Sequence, residues 1–327
     1  MISEDFRQFT DPFRPELLVH CYRMLGSIHD AEDQLQETLI RAWRSYDRFD
    51  GRSSARTWLY RIATNECLRA LAKRGRRPLP SGLGGPTADP NAPLITAVPE
   101  TPWLQPIPDA MFDIDPVDPA SVVVSRAGTR LALIAALQYL PARQRAVLIL
   151  RDVLGWRAAE VAELLDMSTV AVNSALQRAR TQLKDVTEDD VREPTDPDRR
   201  ALLDQYATAF ANADVTALMA LLTEDVVLEM PPYLTWFTGR GAIGEFFTTV
   251  VFREPSQIRM VPTKANNQLA VVPYRGHDGV LRPHSIQVLT FAGAHIARIT
   301  SFQDPALFPT FGLPPTLPAL VGEVHAR

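Results

Sequence analysis

The sequence predicts a multi-domain chain: two all-α helical modules, the second carrying a helix-turn-helix, followed by an α+β module. Three observations lead there. Apolar residues recur at helical spacing through residues 1–77 and 121–184, whereas residues 199–327 open on helical stretches and turn to alternating, strand-like runs. Two connectors break the pattern, a proline-rich one over 78–120 and an acidic one with two prolines over 185–198. Charge divides the same way. The net −4 of 327 residues conceals +3 over 1–77, −6 over 78–120, +5 over 121–184, −6 over 185–198 and zero over 199–327. Two basic modules between acidic connectors suit a chain that touches phosphate twice.

In the first module Leu35, Leu39, Ala42, Trp43 and Tyr46 fall at i, i+4, i+7, i+8 and i+11. They predict an amphipathic helix with a core stripe, whose other side, with Glu32, Asp33, Gln36, Glu37, Arg41 and Arg44, is a candidate partner surface. A second helix runs from Arg56 to about Lys73 and ends in the basic run Lys73-Arg74-Gly75-Arg76-Arg77. Between them, Ser45 to Asn65 interleaves Tyr46, Phe49, Trp58 and Tyr60 with Arg48, Arg52, Arg56 and Arg61. Rings that stack on bases, with arginines along the backbone, are how sequence-tolerant single-strand binding is assembled. The loop Asp50-Gly51-Arg52-Ser53-Ser54 is a receiver for an extruded base. The alternative for each ring is an ordinary place in the core.

The proline-rich connector holds one apolar island, Thr101 to Phe112, in which Trp103, Leu104, Ile107, Met111 and Phe112 need a folded surface to dock on. Beyond it, Val161 to Arg180 reads as two short helices. Val161, Leu164 and Leu165 form one stripe, and Val172, Leu176, Ala179 and Leu183 form another. Asp166-Met167-Ser168 breaks the period, and Ser168 or Thr169 can cap the second helix. That helix then turns Thr169, Ala171, Asn173, Ser174, Gln177 and Arg178 outward, a set able to meet base edges and phosphates in a major groove. The alternative is a helical hairpin with a solvated polar face.

No window of about 18 apolar residues occurs, and the start Met1–Phe9 is acidic where a signal peptide would be basic, so neither a membrane span nor export is expected and the cytoplasm is the expected location. Cys21 and Cys67 have no CxxC partner, which predicts buried free thiols and neither a disulfide nor a zinc site. No metal or other cofactor is expected.

The order DAEDQLQETLIRAWRSYDRFDGRSSARTWLYRIATNECLRALAKRGRR (Asp30–Arg77), then a linker, then LPARQRAVLILRDVLGWRAAEVAELLDMSTVAVNSALQRARTQL (Leu140–Leu183), resembles the two-domain core of extracytoplasmic-function (ECF) sigma factors. The resemblance implies two partners, RNA polymerase core enzyme and promoter DNA. By it, Asp30, Glu32, Asp33, Gln36, Glu37 and Arg41 meet the polymerase clamp, and the loop Phe49 to Ser54 (Phe49, Asp50, Gly51, Arg52, Ser53, Ser54) captures a flipped base of the −10 element. Arg56, Trp58, Asn65 and Arg69 contact the adjoining duplex, and Ser168, Thr169, Ala171, Asn173, Ser174, Gln177 and Arg178 read the −35 element. One departure stands out: Val170-Ala171-Val172-Asn173 replaces the Gly-Thr-Val-Lys type of start frequent in the family, so promoter identity does not carry over.

Residues 199–327 give ALLDQYATAFANAD and VTALMALLTED as helices, then VVLEMPPY, WFTGRGAIGEFFTTVV, IRMVPTKANNQLAVVPYR and PHSIQVLTFAGAHIARITSFQD as alternating strands. This order is similar to the SnoaL-like group of the nuclear-transport-factor-2-like superfamily, which implies a cone of curved sheet closed by helices around a pocket. Tyr206, Phe210, Met230, Tyr233, Trp236, Phe237, Gln268, His284 and Asp304 are the candidate lining. The favoured role is a regulatory contact with the sigma core, with Trp103-Leu104 as its expected partner. A ligand-sensing helix-turn-helix regulator, with a small molecule in the pocket, and a SnoaL-type enzyme using His284 and Asp304 as acid and base are the alternatives. The chain as a whole is expected not to be an enzyme.

Overall fold

The computed structural model describes residues 4–73, 75–111, 128–183, 197–276 and 279–319. The chain divides into two compact units, Met1–Pro78 with Pro102–Arg192, and Leu79–Thr101 with Glu193–Arg327. Both helical modules therefore share one unit, and the proline-rich connector is split between the two. Most of the acidic connector (184–196) and residues 112–127, Phe112 included, lie outside the described residues, as does Arg74.

The first unit opens with α1 (Glu4–Thr10), α2 (Arg14–Leu25), α3 (Ile28–Ser45) and α4 (Ala55–Lys73). Helix α2 stops at Gly26, whose left-handed backbone (φ 69°) lets its N–H donate to the Tyr22 carbonyl at 2.7 Å. Ser27 starts α3 by accepting from the Asp30 N–H at 3.1 Å. Leu17, Val19, Tyr22, Leu39, Leu59 and Ala63 fill the core between them, with Cys21 and Cys67 as buried free thiols. The stripe on α3 sits one column away from the expected one. Ala31, Thr38 and Ala42 face α2 and α4, Leu39 is buried beside them, Leu35 and Tyr46 are half-buried, and Trp43 is 40% exposed next to Ile40 at 37%. Small residues let α2 and α4 approach along that column, which pushes the indole out.

The second helical module comprises α5 (Leu131–Leu137), α6 (Ala142–Leu148), α7 (Ala158–Leu165) and α8 (Thr169–Gln182). It packs on the first through a buried cation. Arg145 of α6 donates to the Met24 carbonyl of α2, to the Gln138 side chain at 3.0 Å and to the Gln138 carbonyl at 3.1 Å. Burial lowers its pKa to about 10, so these acceptors carry the desolvated charge. Around it Trp156 packs on Tyr60, ring centres 5.4 Å apart, and Glu163 pairs with Arg61 at 2.6 Å.

The apolar island finds its folded surface within the first unit, where Trp103-Leu104 was expected to meet the C-terminal module. Leu104 and Ile107 are fully buried in the first unit. The Gln105 N–H donates to the Gly26 carbonyl (3.0 Å), the Tyr22 hydroxyl to the Gln105 carbonyl (2.9 Å) and Arg77 to the Trp103 carbonyl (2.8 Å). The α2–α3 corner exposes just the donors and acceptors that an extended strand needs. The Leu104 N–H also donates to the Pro78 carbonyl (3.2 Å), so the chain leaves and re-enters this unit at one place.

What lies between, Leu79–Thr101, is a strap on the second unit. Its Ser81 N–H donates to Glu229 (2.9 Å), its Ile95 N–H to the Thr235 hydroxyl (2.8 Å) and its Ala97 N–H to the Pro232 carbonyl (3.2 Å). In return the Leu234 N–H donates to the Ile95 carbonyl (2.7 Å) and the Trp236 indole to the Gly84 carbonyl (3.0 Å). The body is α9 (Pro197–Ala211), α10 (Val215–Ala220), β1 (Leu222–Glu229), β2 (Trp236–Thr238), α11 (Arg240–Phe246), β3 (Gln257–Ala265), β4 (Gln268–Gly276), β5 (Val280–Pro283), β6 (Ile286–Ala292), β7 (His295–Phe302), α12 (Leu307–Thr310) and β8 (Leu317–Pro318). The sheet runs β2-β1-β7-β6-β4-β5-β8, with β3 on β4, and β1 and β7 pair in parallel. Gly241–Phe247, expected as strand, is mostly helical, because Ile243, Phe246 and Phe247 are buried at i, i+3, i+4 against Leu228, Phe237 and Phe210.

The seat of the island at Gly26 is testable. A Cβ there would lie 2.8 Å from Gln138 and 3.0 Å from Leu104, whereas at Gly51, also left-handed (φ 71°), it would meet nothing. Gly51→Ala should cost only the backbone strain, about 1 kcal/mol, and Gly26→Ala about 1–3 kcal/mol more, read by urea unfolding of the full chain. Equal losses would mean that the island does not press on this corner.

Candidate nucleic-acid interface

On α3, Asp33, Gln36 and Glu37 are exposed and Glu32 is half-exposed, and Ile40 and Trp43 continue the same face. This surface is charged at one end and apolar at the other, a composition suited to a protein partner. Asp30 does not belong to it. The residue is buried and ion-paired with Arg77, at the helix start where a carboxylate also meets the dipole. Arg41 is tied to buried Glu66 at 2.9 Å, and Arg69 of α4 pairs with the same carboxylate.

The Phe49–Ser54 loop projects from the α3–α4 turn. Asp50, Gly51, Arg52 and Ser54 are exposed and Ser53 half-exposed; the Asp50 carboxylate accepts from the Arg52 N–H at 3.2 Å and pairs with the Arg52 guanidinium at 2.8 Å. Ser54 holds the start of α4 by accepting from the Thr57 N–H at 3.1 Å. Behind the loop the rings stack on one another: Phe49 lies 4.8 Å from Trp58, and Phe9 of α1 lies 5.6 Å from Phe49 and 5.2 Å from Tyr46. Phe49 and Trp58 stay half-exposed, so a base could join their stack. Sequence reasoning missed Phe9, since nothing in its local pattern marks it. Two expected members are occupied elsewhere. Tyr60 is fully buried and burial pushes its pKa up; Arg56 lies 5.0 Å over the Tyr60 ring and is bound to Glu16 at 2.8–3.0 Å. Their position one turn into α4 faces α2 rather than the loop. Asn65 is half-buried further along α4.

The α7–α8 pair has a helix-turn-helix corner. Asp166 ends α7 in the left-handed region (φ 52°), and Ser168 accepts from the Ala171 N–H at 3.1 Å. Val172, Ala175, Leu176 and Ala179 are buried. The opposite face presents Ser168, Thr169, Asn173, Gln177 and Arg178, all exposed, with Ala171 and Ser174 half-exposed. Arg180, at the end of the same helix, is held bidentately by Asp152 at 2.7 and 2.8 Å. Val170, the second helical residue, is 73% exposed and was not among the expected contacts.

In the second unit a cavity of about 210 Å³ opens inside the sheet. Of the expected lining, Phe210, Met230, Tyr233 and His284 are there. Tyr206 and Phe237 are packed in the core behind it, the Trp236 indole is turned to the strap, and Gln268 donates to the Leu289 carbonyl at 3.2 Å. Asp304 caps a turn, accepting from the Ala306 N–H at 3.0 Å, and is not among the residues that line the cavity. Among the residues sequence reasoning missed are Leu228, Phe246, Phe247, Val250 and Val251, Leu94 of the strap, Arg275, and Ser285, Gln287, Ser301 and Gln303. The last four could have been found: they form two Ser-x-Gln tripeptides, one beside each of two strands, at the spacing that puts both ends on one face.

Comparison with known proteins agrees with this layout. The chain matches the models of Sigma-70 region 2 over residues 10–77, Sigma-70 region 4 over 130–183 and the SnoaL-like domain over 203–301. It is 48% identical over 321 residues to the ECF RNA polymerase sigma factor SigG of Mycobacterium tuberculosis, covering 96% of this chain and 85% of that protein. It is 30% identical over 186 residues to the ECF RNA polymerase sigma factor SigW of Bacillus subtilis, covering 56% and 88%. The crystal structure of the Mycobacterium tuberculosis ECF sigma factor SigJ has the same fold, with a TM-score of 0.61 at 23% identity over 94% of this chain and 99% of that one.

Proposed function

The chain belongs to the extracytoplasmic-function family of RNA polymerase sigma factors and carries a SnoaL-like C-terminal domain, and from that premise we propose that it brings core polymerase to promoters while the C-terminal domain restrains it through the strap. The observation that carries the finer reading is the division of the connector, Leu79–Thr101 on one unit and Pro102 onward on the other. Residues 1–77 are the polymerase- and −10-binding domain, 121–184 the −35-binding domain and 199–327 the regulatory domain; 78–120 and 185–198 connect them. The protein acts in the cytoplasm, where the polymerase is, and no helix among the described residues is long and apolar enough to cross a membrane.

Restraint follows from size. The two promoter elements lie roughly 25 base pairs apart, about 85 Å of duplex. A compact unit of roughly 170 residues has a radius of gyration near ~15 Å. With Arg145, Trp156 and Glu163 closing the two helical modules on each other, one molecule cannot hold both elements; it must open. The strap withholds residues 79–101 from the connector, a reach of about 75 Å when extended.

Asp33, Gln36 and Glu37, with Trp43, dock the clamp; Phe49 and Trp58 with the Asp50–Ser54 loop hold the −10 base; the outer face of α8 reads −35 DNA. Ala at Asn173 or Gln177 should cost about 1–3 kcal/mol and relax one base position, Ala at Arg178 should weaken all duplexes alike, and Val170→Ala should lose preference for thymine over uracil at one position. Unchanged −35 binding by all four variants would remove α8 from the interface.

In run-off transcription with purified core enzyme, the full chain should give promoter-dependent transcripts, the Asp33→Lys/Glu37→Lys variant none, and the chain ending at Asp190 more than the full chain. No transcripts from any form contradict the sigma assignment. Equal or fewer transcripts from the shortened chain contradict restraint.

A further inference from the structure

The cavity has the chemistry of a binding site that the sigma reading leaves unused. Ser285-Ile286-Gln287 and Ser301-Phe302-Gln303 flank the β6–β7 ladder, in which Gln287 and Ser301 are direct partners. All four polar residues line the cavity, together with Phe210, Met230, Phe246 and Phe247. The Ser285 hydroxyl is fully buried and has no hydrogen-bond partner, a state that costs free energy unless something else fills it. Gln287 is already oriented, accepting from the Tyr206 hydroxyl at 3.0 Å.

Charge narrows the class of ligand. Arg275 lines the cavity, and among the described residues lining it there is no carboxylate. Arg275 is paired with Arg282 across the β4–β5 ladder, and the Pro273 carbonyl two residues before it accepts from the His284 N–H at 2.9 Å; Arg275, His284 and Ser285 all line the one cavity. Its terminal nitrogen is held by the Val251 carbonyl (2.6 Å) and the Ser256 hydroxyl (3.2 Å), so the guanidinium is fixed in place. His284 lines the same cavity. Desolvation first and the Arg275 charge second lower its pKa, which keeps it neutral. The lining thus combines one cation and several hydrogen-bonding side chains with aromatic and aliphatic ones, and a volume of about 210 Å³ is below the usual span for drug-sized ligands, about 300–1,000 Å³.

We propose that this cavity binds a small organic monocarboxylate, one ring or a short chain in size, with its carboxylate at Arg275 and Ser285 and its apolar body between Phe210 and Phe247. Leu94 of the strap forms part of the same wall, so the bound acid touches the segment that restrains the sigma core. The site stands on the cavity alone; its effect on transcription rests on the strap reading.

Calorimetric titration of the full chain with benzoate and hexanoate, against benzamide and hexylamine, tests the site without transcription. At least one acid should bind saturably, tenfold or more tighter than the amide, and the amine should not bind. Ser285→Ala should unfold at the same temperature as the parent, since its hydroxyl has no bond to lose, yet bind the acid about tenfold more weakly. Arg275→Gln should abolish the preference over the amide. No saturable binding of either acid up to about 10 mM, equal binding of acid and amide, or full binding by Ser285→Ala overturns the proposal. Acid binding that leaves transcription unchanged keeps the site and refutes the coupling through the strap.

Discussion

Everything distinctive in this architecture depends on the buried carboxylate of Glu229. It is fully inaccessible at the end of β1, paired with Arg298 at 2.6 Å and accepting from the Ser81 N–H at 2.9 Å. A carboxylate is tolerated in such a place only if its lone pairs are met, and one of its donors comes from the connector between the two helical modules. The strap is therefore part of how the C-terminal domain satisfies its own interior. Removing it would leave an acceptor short in a desolvated site, together with the unpaired Thr235 hydroxyl and Leu234 N–H.

The opposite end of the connector is equally committed, to the first unit. Gly26 leaves room, its carbonyl and the Tyr22 hydroxyl supply polar partners, and Leu104 and Ile107 supply the buried area. Because Pro78 and Leu104 are hydrogen-bonded neighbours, the strap is a loop whose two feet meet. A loop with joined feet transmits little tension while docked and adds its whole contour when released. The proposed restraint requires that this loop have two discrete states, docked and released.

Much of this was legible in the sequence. Period and capping residues placed α3, α4, α7 and α8, and Ser168 caps as its position implied. The outward set on α8 follows from its buried stripe. Where reading failed, tertiary packing decided. The side of α3 that is buried depends on which column lets α2 and α4 come close, so Trp43 faces outward although its spacing fits a core stripe. Asp30 looked like surface charge until Arg77, 47 positions away, came to meet it. Arg56 and Tyr60 fit the interleaved pattern of a nucleic-acid surface, but Glu16 captures them from another helix. The strap was invisible for a simpler reason. Its bonds are made mainly by backbone groups, which carry no signature in the sequence, while the conspicuous apolar residues lie in the neighbouring island.

Hydrogen exchange of the full chain, read at the amides of Ser81, Ile95 and Ala97, tests the central claim most directly. These protons are bonded to Glu229, Thr235 and Pro232. If the strap folds with the C-terminal domain, they should exchange as slowly as β1 and β7 of that domain and lose protection when the domain is removed at Asp190. Exchange at the rate of an unstructured connector, or protection unaffected by removing the domain, would contradict the account.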